Sequence, residues 1–227
     1  MNLRYCIATR EWKNWRDCVE SWRDTASRNW PEIVVKNMNV VEAYQKCYLE
    51  ATDADILAYC HDDLIIYERN WDERILFQFI DPQVGLVGVA GGLGHFLPQA
   101  YTEPFHIPNM IRRDFISNMR DAEKHGHRFT GETDVAVLDG IALFVRRSVL
   151  DKWGGWPIGK HVDYFLYSET LCCEVRRQGL RIRMVGIDCL HLGGKSSGAA
   201  LPYSYEDEHR TLWENNRDVL PYYVGQK

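Results

Sequence analysis

Within its first sixty residues the chain alternates short apolar runs with stretches of helical period, and few folds accommodate that order. Leu3 to Ala8 is an apolar run of strand length that ends at Thr9-Arg10. Trp12, Trp15, Val19 and Trp22 recur at helical spacing and predict an amphipathic helix over Lys13 to Ala26. Trp30-Pro31 stops it, and Glu32 to Val35 is a second strand. Val40, Val41, Tyr44, Cys47 and Tyr48 mark a second helix, and Asp55 to Tyr59 a third strand that runs into His61-Asp62-Asp63. Strand, helix, strand, helix, strand at this spacing predicts a parallel α/β sheet. Ligands in such sheets bind beyond the carboxyl ends of the strands, where Thr9, Lys36-Asn37 and Asp62-Asp63 fall.

The remainder extends the same alternation less regularly. A helix is expected over Trp71 to Phe79 and an apolar strand over Val84 to Ala90, ending in Gly91-Gly92. Residues 94–134 carry prolines, histidines and charges without clean periodicity, a long insertion of the kind that usually serves function. Val135 to Leu138 and Ile141 to Val145 flank Asp139-Gly140, and Ser148 to Trp153 resembles a short helix. Thr170 to Gln178 is a helix closed by Gly179. Arg181 to Cys189 is a last strand leading to His191 and a Gly-rich loop, and Glu206 to Asn216 a final helix. No repeat or linker divides the chain, so residues 1–227 are expected to form one domain.

A net charge of -5 and a pI near 5.9 argue against non-specific coating of nucleic acid or anionic membrane. A local basic groove built from Arg112-Arg113, Arg146-Arg147, Arg176-Arg177 and Arg181/Arg183 stays open. The seven cysteines are odd in number, sit mostly in apolar runs and include no pair at zinc spacing. They are expected to be buried thiols in a reducing compartment. The N-terminus lacks a signal-peptide core and no apolar run has the length of a membrane span, so a cytoplasmic protein is expected.

Three places carry chemistry. Asp62 and Asp63, at a strand end, form either a site for a hard divalent cation or an ordinary acidic turn. His191 precedes Gly193-Gly194-Lys195-Ser196-Ser197-Gly198, where glycines admit a ligand and Lys195 can meet phosphate; the structural alternative is a satisfied strand-end histidine. Glu169 opens a helix, either as a carboxylate favoured by the helix dipole with Ser168 as N-cap, or as a general base.

In order, HDDL, GLVGVAGG, VLDGIALFVRRSVLDKWGGW and YFLYSETLCCEVRRQGLRIRMVGIDCLHLGG resemble the motif series of the GT-A glycosyltransferases of family 2, among them rhamnosyltransferase-like sugar transferases. The resemblance spans about Leu3 to Gly198. It implies a GT-A α/β fold, a nucleotide-sugar-binding mixed sheet flanked by helices. Asp63 resembles the residue that holds Mn²⁺ or Mg²⁺ against the donor diphosphate, and His191 the distal histidine that completes the metal site. Glu169 resembles the catalytic base, and Asp139 the acid beside donor sugar and acceptor. Thr9 with Arg10, Asn37, Asp62 and Lys195 fall where members bind the donor.

The implied activity is inverting, metal-dependent transfer of a sugar from a nucleoside-diphosphate sugar to a hydroxyl acceptor, a glycan or small molecule or a hydroxylated base in DNA. Residues 94–134 are the expected acceptor side. Two departures stand out. Lys36-Asn37 replaces the usual aspartate after the second strand, and His61 replaces the first acid of the aspartate motif, leaving Asp63 as the expected direct ligand. A non-catalytic sugar-nucleotide-binding module of the same fold is the alternative.

Overall fold

The computed structural model describes residues 1–11, 13, 15–95, 112–120, 126–156, 166–193, 205–220 and 222–225. The opening alternation is present as β1 (Leu3–Thr9), α1 (Trp15–Thr25), β2 (Glu32–Lys36), α2 (Val40–Glu50) and β3 (Ile56–His61). Next come β4 (Leu64–Ile66), α3 (Trp71–Gln78), β5 (Val84–Gly88), β6 (Ala90–His95), β7 (Arg112–Ser117), β8 (His127–Arg128), β9 (Glu132–Asp134) and β10 (Val137–Leu138). The rest is β11 (Ala142–Arg146), α4 (Arg147–Trp153), α5 (Tyr167–Arg177), β12 (Arg181–Val185), β13 (Cys189–His191), α6 (Tyr205–Asn215) and β14 (Tyr222–Tyr223).

The central seven-stranded sheet runs β2-β1-β3-β11-β5-β12-β9. Its first three strands are parallel, β11 is antiparallel to both β3 and β5, and β12 returns parallel to β5. Strands this apolar are buried on both faces, and their period of two sorts the core into two layers. From β3, Leu57 and Tyr59 join one layer with α2 and α5, while Ile56, Ala58 and Cys60 join the other with α1 and α3. Trp22 and Trp71, both fully buried, anchor the second layer. Burying each large side chain there contributes about 1.5–3 kcal/mol of transfer free energy.

Two expected strands are each divided. The run from Val84 leaves the central sheet after Gly88 and continues as β6 in a second sheet, ordered β10-β6-β7-β8 with β14 also on β6. Glycine permits this: a Cβ at Gly88 would come within 2.8 Å of Leu138, and one at Gly91 would overlap the Val137 carbonyl. The run from Arg181 breaks at Gly186, whose Cβ would overlap the Phe129 carbonyl, and resumes as β13, antiparallel to β4. Periodicity does not reveal these breaks, because both halves are equally apolar.

The described part of the insertion supplies β7, β8 and β9; residues 96–111 and 121–125 lie outside the described residues. Among the described side chains, the pairs Arg146-Arg147, Arg176-Arg177 and Arg181/Arg183 are spent on contacts within the fold and not gathered into a groove; the side chains of Arg112-Arg113 lie outside the described residues. Arg146 caps the carbonyls of Phe79, Asp81 and Val84, and Arg147 those of Tyr48 and Ala51. Arg177 binds Asp218 and Glu174, and Arg181 and Arg183 converge on Asp134. All seven cysteines are free and buried, and burial pushes the Cys172 thiol up to about 12. Among the described residues, no helix is long and apolar enough to cross a membrane.

Candidate metal and donor site

Register brings the polar strand ends to one edge. Ala8 pairs with His61 and Thr9 with Lys36, so the ends of β2, β1 and β3 lie side by side. At this edge Thr9 is buried, its hydroxyl accepts the Glu11 N–H at 2.9 Å, and its carbonyl accepts the Asn37 N–H at 2.9 Å. Glu11 and Asn37 both hold positive φ, 56° and 54°, which costs non-glycine residues strain energy and is common beside ligand sites. Lys36 pairs with Glu11 at 2.7 Å, and Arg10 is exposed.

Asp62 and Asp63 form the turn between β3 and β4. That turn is fixed from two sides. Trp22 of α1 donates to the Leu64 carbonyl at 2.6 Å, and the His61 N–H donates to Ile141 O at 2.9 Å. The β4–β13 ladder sets His191 opposite Leu64, and the Leu192 N–H donates to Asp63 O at 2.9 Å. As a result His191 Nε2 lies 3.1 Å from Asp63 Oδ1 and His61 Nδ1 3.8 Å from the same oxygen. One ligand atom from each of His61, Asp63 and His191 falls within a 4.8 Å cluster. Their side chains are 31%, 10% and 27% exposed, so the cluster opens to solvent.

The charges suit a cation. Burial raises the Asp63 carboxyl, but the hydrogen bond and charge of His191, helped by His61, outweigh it and hold Asp63 below its ordinary value. Burial and then the charge of His191 push the His61 imidazole down against the pull of Asp63 and Asp139, which keeps it neutral and able to ligate. Two imidazole nitrogens and one carboxylate oxygen fit a divalent ion; the nitrogens favour first-row transition ions, Mn²⁺ included, over Mg²⁺, which prefers an all-oxygen shell. His61 therefore belongs with Asp63 and His191, where sequence comparison treats it as the loss of an acid. Its spacing of two residues from Asp63 was the available signal.

Asp139, half-buried in the turn after β10, accepts the Ile141 N–H at 3.1 Å and lies near enough to act on the His61 charge. Glu169 is 1% exposed in the first turn of α5 and accepts the Ser168 hydroxyl at 2.6 Å. Ser168 is thus inside the helix rather than its N-cap, which is Leu166; the helix begins at Tyr167, earlier than expected. One turn on, Cys172 Sγ accepts the Leu138 N–H, so the face of α5 that carries Glu169 packs on β10, the strand that leads into Asp139.

Sequence reasoning passes over two further residues here. Tyr167 reaches His61 Nε2 at 2.7 Å and donates to Gly140 O at 3.2 Å. Glu208 of α6, also buried, accepts the Leu166 N–H at the start of α5. Both contacts are tertiary, and nothing local to either residue announces them. Lys195 and the loop beyond Gly193 lie outside the described residues.

Among solved structures the chain is similar to A197 from STIV, at 12% identity and TM-score 0.51 over 86% of this chain and 87% of that one. It is similar to the mannosyltransferase PcManGT from Pyrobaculum calidifontis, in complex with GDP-Man and Mn²⁺, at 12% identity and TM-score 0.55 over 86% of this chain. It is also similar to GalNAc-T7 with UDP, GalNAc and Mn²⁺, at 10% identity and TM-score 0.64 over 96% of this chain. The chain spans 58% and 49% of the length of the latter two. At such identities the likeness speaks for the fold. No curated protein matches the sequence. A family model described as "Glycosyltransferase like family" matches residues 32–209, most of the sheet and its polar edge, and the chain accordingly belongs to this glycosyltransferase-like family, with the GT-A fold.

Proposed function

We propose that the protein is a divalent-cation-dependent glycosyltransferase that moves a sugar from a nucleoside-diphosphate sugar to a hydroxyl acceptor with inversion. The observation that carries this reading is the His61, Asp63 and His191 cluster at the polar edge of the sheet, beside the ends of β1 and β2. A cation held there would neutralise charge developing on the leaving nucleoside diphosphate.

The chain's own residues supply the rest. Thr9, Arg10 and Asn37 contact the nucleotide, Asp62 and Lys195 the rest of the donor. Asp139 orients the sugar and acceptor hydroxyl. Glu169 takes the hydroxyl proton from the face opposite the leaving group, so that a single displacement inverts the anomeric centre. Asp139 in the turn after β10 and Glu169 on α5 stand on elements other than the β3–β4 turn and β13, which carry the cation cluster, and this supports that division of labour.

The test is release of nucleoside diphosphate from a panel of nucleotide sugars, with and without Mn²⁺. Release that requires the cation and disappears in Asp63→Ala is the expected result. Donor binding without release from any sugar, acceptors included, would leave a binding module and overturn the proposal.

A further inference from the structure

Tyr167 joins three elements at one oxygen. Its hydroxyl stands 2.7 Å from His61 Nε2 at the end of β3 and 3.2 Å from the carbonyl of Gly140, in the turn after β10, while its backbone begins α5. The ring is held by Tyr44 and Trp156, at centroid distances of 5.7 and 6.1 Å. A Cβ at Gly140 would overlap the hydroxyl, so glycine there is what lets it in.

A phenol has one proton to give and lone pairs to receive. Gly140 O can only accept. When the phenol proton goes to that carbonyl, the oxygen is left to receive from His61, which requires the proton on Nε2. A neutral imidazole has only one such proton, so Nδ1 is bare. Nδ1 is the nitrogen that faces Asp63 Oδ1, at 3.8 Å.

We propose that Tyr167 is a positioning residue: by bridging His61 Nε2 and Gly140 O, it fixes the His61 tautomer and turns a bare Nδ1 toward Asp63 and His191. Its consequence for cation binding rests on the function proposed above. Hydrogen bonds of this kind behind a ligating histidine set its orientation and basicity. The same bond ties the cation cluster to the Asp139-Gly140 turn and the start of α5, so the two halves of the site share one oxygen.

The experiment uses the full chain, uniformly ¹⁵N-labelled, free of metal, at a pH where histidines are neutral. His61 ring signals are assigned by their loss in His61→Asn. The expected wild-type pattern has a protonated Nε2 and a bare Nδ1, and Tyr167→Phe converts it to a mixture of tautomers. A proton on Nδ1 in the wild type overturns the proposal without any variant, and so does an unchanged pattern in a folded Tyr167→Phe. Mn²⁺ titration by calorimetry gives the second readout, with affinity expected to fall about ten- to a hundredfold in Tyr167→Phe. Equal Mn²⁺ affinity in the two proteins overturns the link to cation binding. If the wild type binds no Mn²⁺, the cation reading has failed, and the nitrogen signals still decide whether Tyr167 sets the tautomer.

Discussion

His191 Nε2 stands 3.1 Å from Asp63 Oδ1, a contact made by two strand ends far apart in sequence. It depends on β13 leaving the central sheet to pair with β4, and on the Leu192 N–H gripping the Asp63 carbonyl. In the proposed site His61, Asp63 and His191 would each supply one ligand, and removal of Asp63 or His191 would leave two. Asp63→Ala and His191→Ala are each expected to weaken Mn²⁺ binding at least about tenfold, roughly 1.4 kcal/mol. The check is the thermal midpoint, which Mn²⁺ should raise in the wild type and hardly move in either variant. Chelation should return the wild type to its metal-free midpoint.

If the cluster holds a cation, His61 should decide which one is preferred. Two imidazoles and one carboxylate favour transition ions such as Mn²⁺, which accept nitrogen ligands more readily than Mg²⁺ does, whereas a second carboxylate moves the set toward Mg²⁺. His61→Asp restores an acid where the GT-A resemblance expects one, and the ratio of Mn²⁺ to Mg²⁺ affinity is expected to fall. Calorimetric titration of both ions measures it. An unchanged ratio would remove His61 from the ligand set.

What the sequence discloses follows from how local each signal is. β1 and β3 are legible because a strand buried on both faces has to be mostly apolar, as Tyr5 to Ala8 and Ile56 to Cys60 are. Asp63 and His191 are legible as strand-end polar residues, and the family resemblance joins them at one cation, though nothing local to either pairs them. The switches at Val89 and Gly186 are hidden because glycine and valine fit either sheet, and the choice is made by the approach of Leu138 and Phe129. Tyr167 is hidden for the same reason: its partners lie in β3 and the β10–β11 turn. A histidine at position 61 resembles a lost acid until the fold sets His191 opposite, with ring centroids 5.5 Å apart.

Asp72 separates stability from function. Fully buried, it accepts the Ser27 N–H at 2.7 Å, the Ser27 hydroxyl at 2.7 Å and the Trp30 indole at 2.8 Å. It thereby ties the start of α3 to the segment between α1 and β2. Asp72→Ala leaves the indole N–H buried without this acceptor and is expected to cost about 2–4 kcal/mol. Urea denaturation measures the loss, and Mn²⁺ affinity of the folded fraction should not change.

Gly140 is constrained by its neighbour rather than by its backbone. A methyl group there would overlap Tyr167 Oη, the tip of a ring already packed against Tyr44 and Trp156. Gly140→Ala should displace the hydroxyl at a cost of about 1–3 kcal/mol. In Tyr167→Phe the nearest overlapping atom is gone while the ring Cζ, 2.6 Å from the added methyl, remains, so the clash is eased and the double variant should lose less than the sum of the single ones. Denaturation of all four proteins gives the coupling directly.

Glu169 poses the sharpest choice between architecture and chemistry. A buried carboxylate at a helix start can be there for the helix dipole alone, worth at most about 2 kcal/mol. Glu169→Gln keeps the shape, and its amide oxygen can still accept the Ser168 hydroxyl. It removes the charge and the capacity to take a proton, and replaces the second acceptor oxygen by an NH₂ donor. If Glu169 is the base, transfer should fall by about a hundredfold or more, while Mn²⁺ and donor affinity stay at wild-type values. If the charge serves only α5, stability falls and transfer by the folded protein persists. Single-turnover transfer at saturating donor, read beside the denaturation midpoint, separates the two.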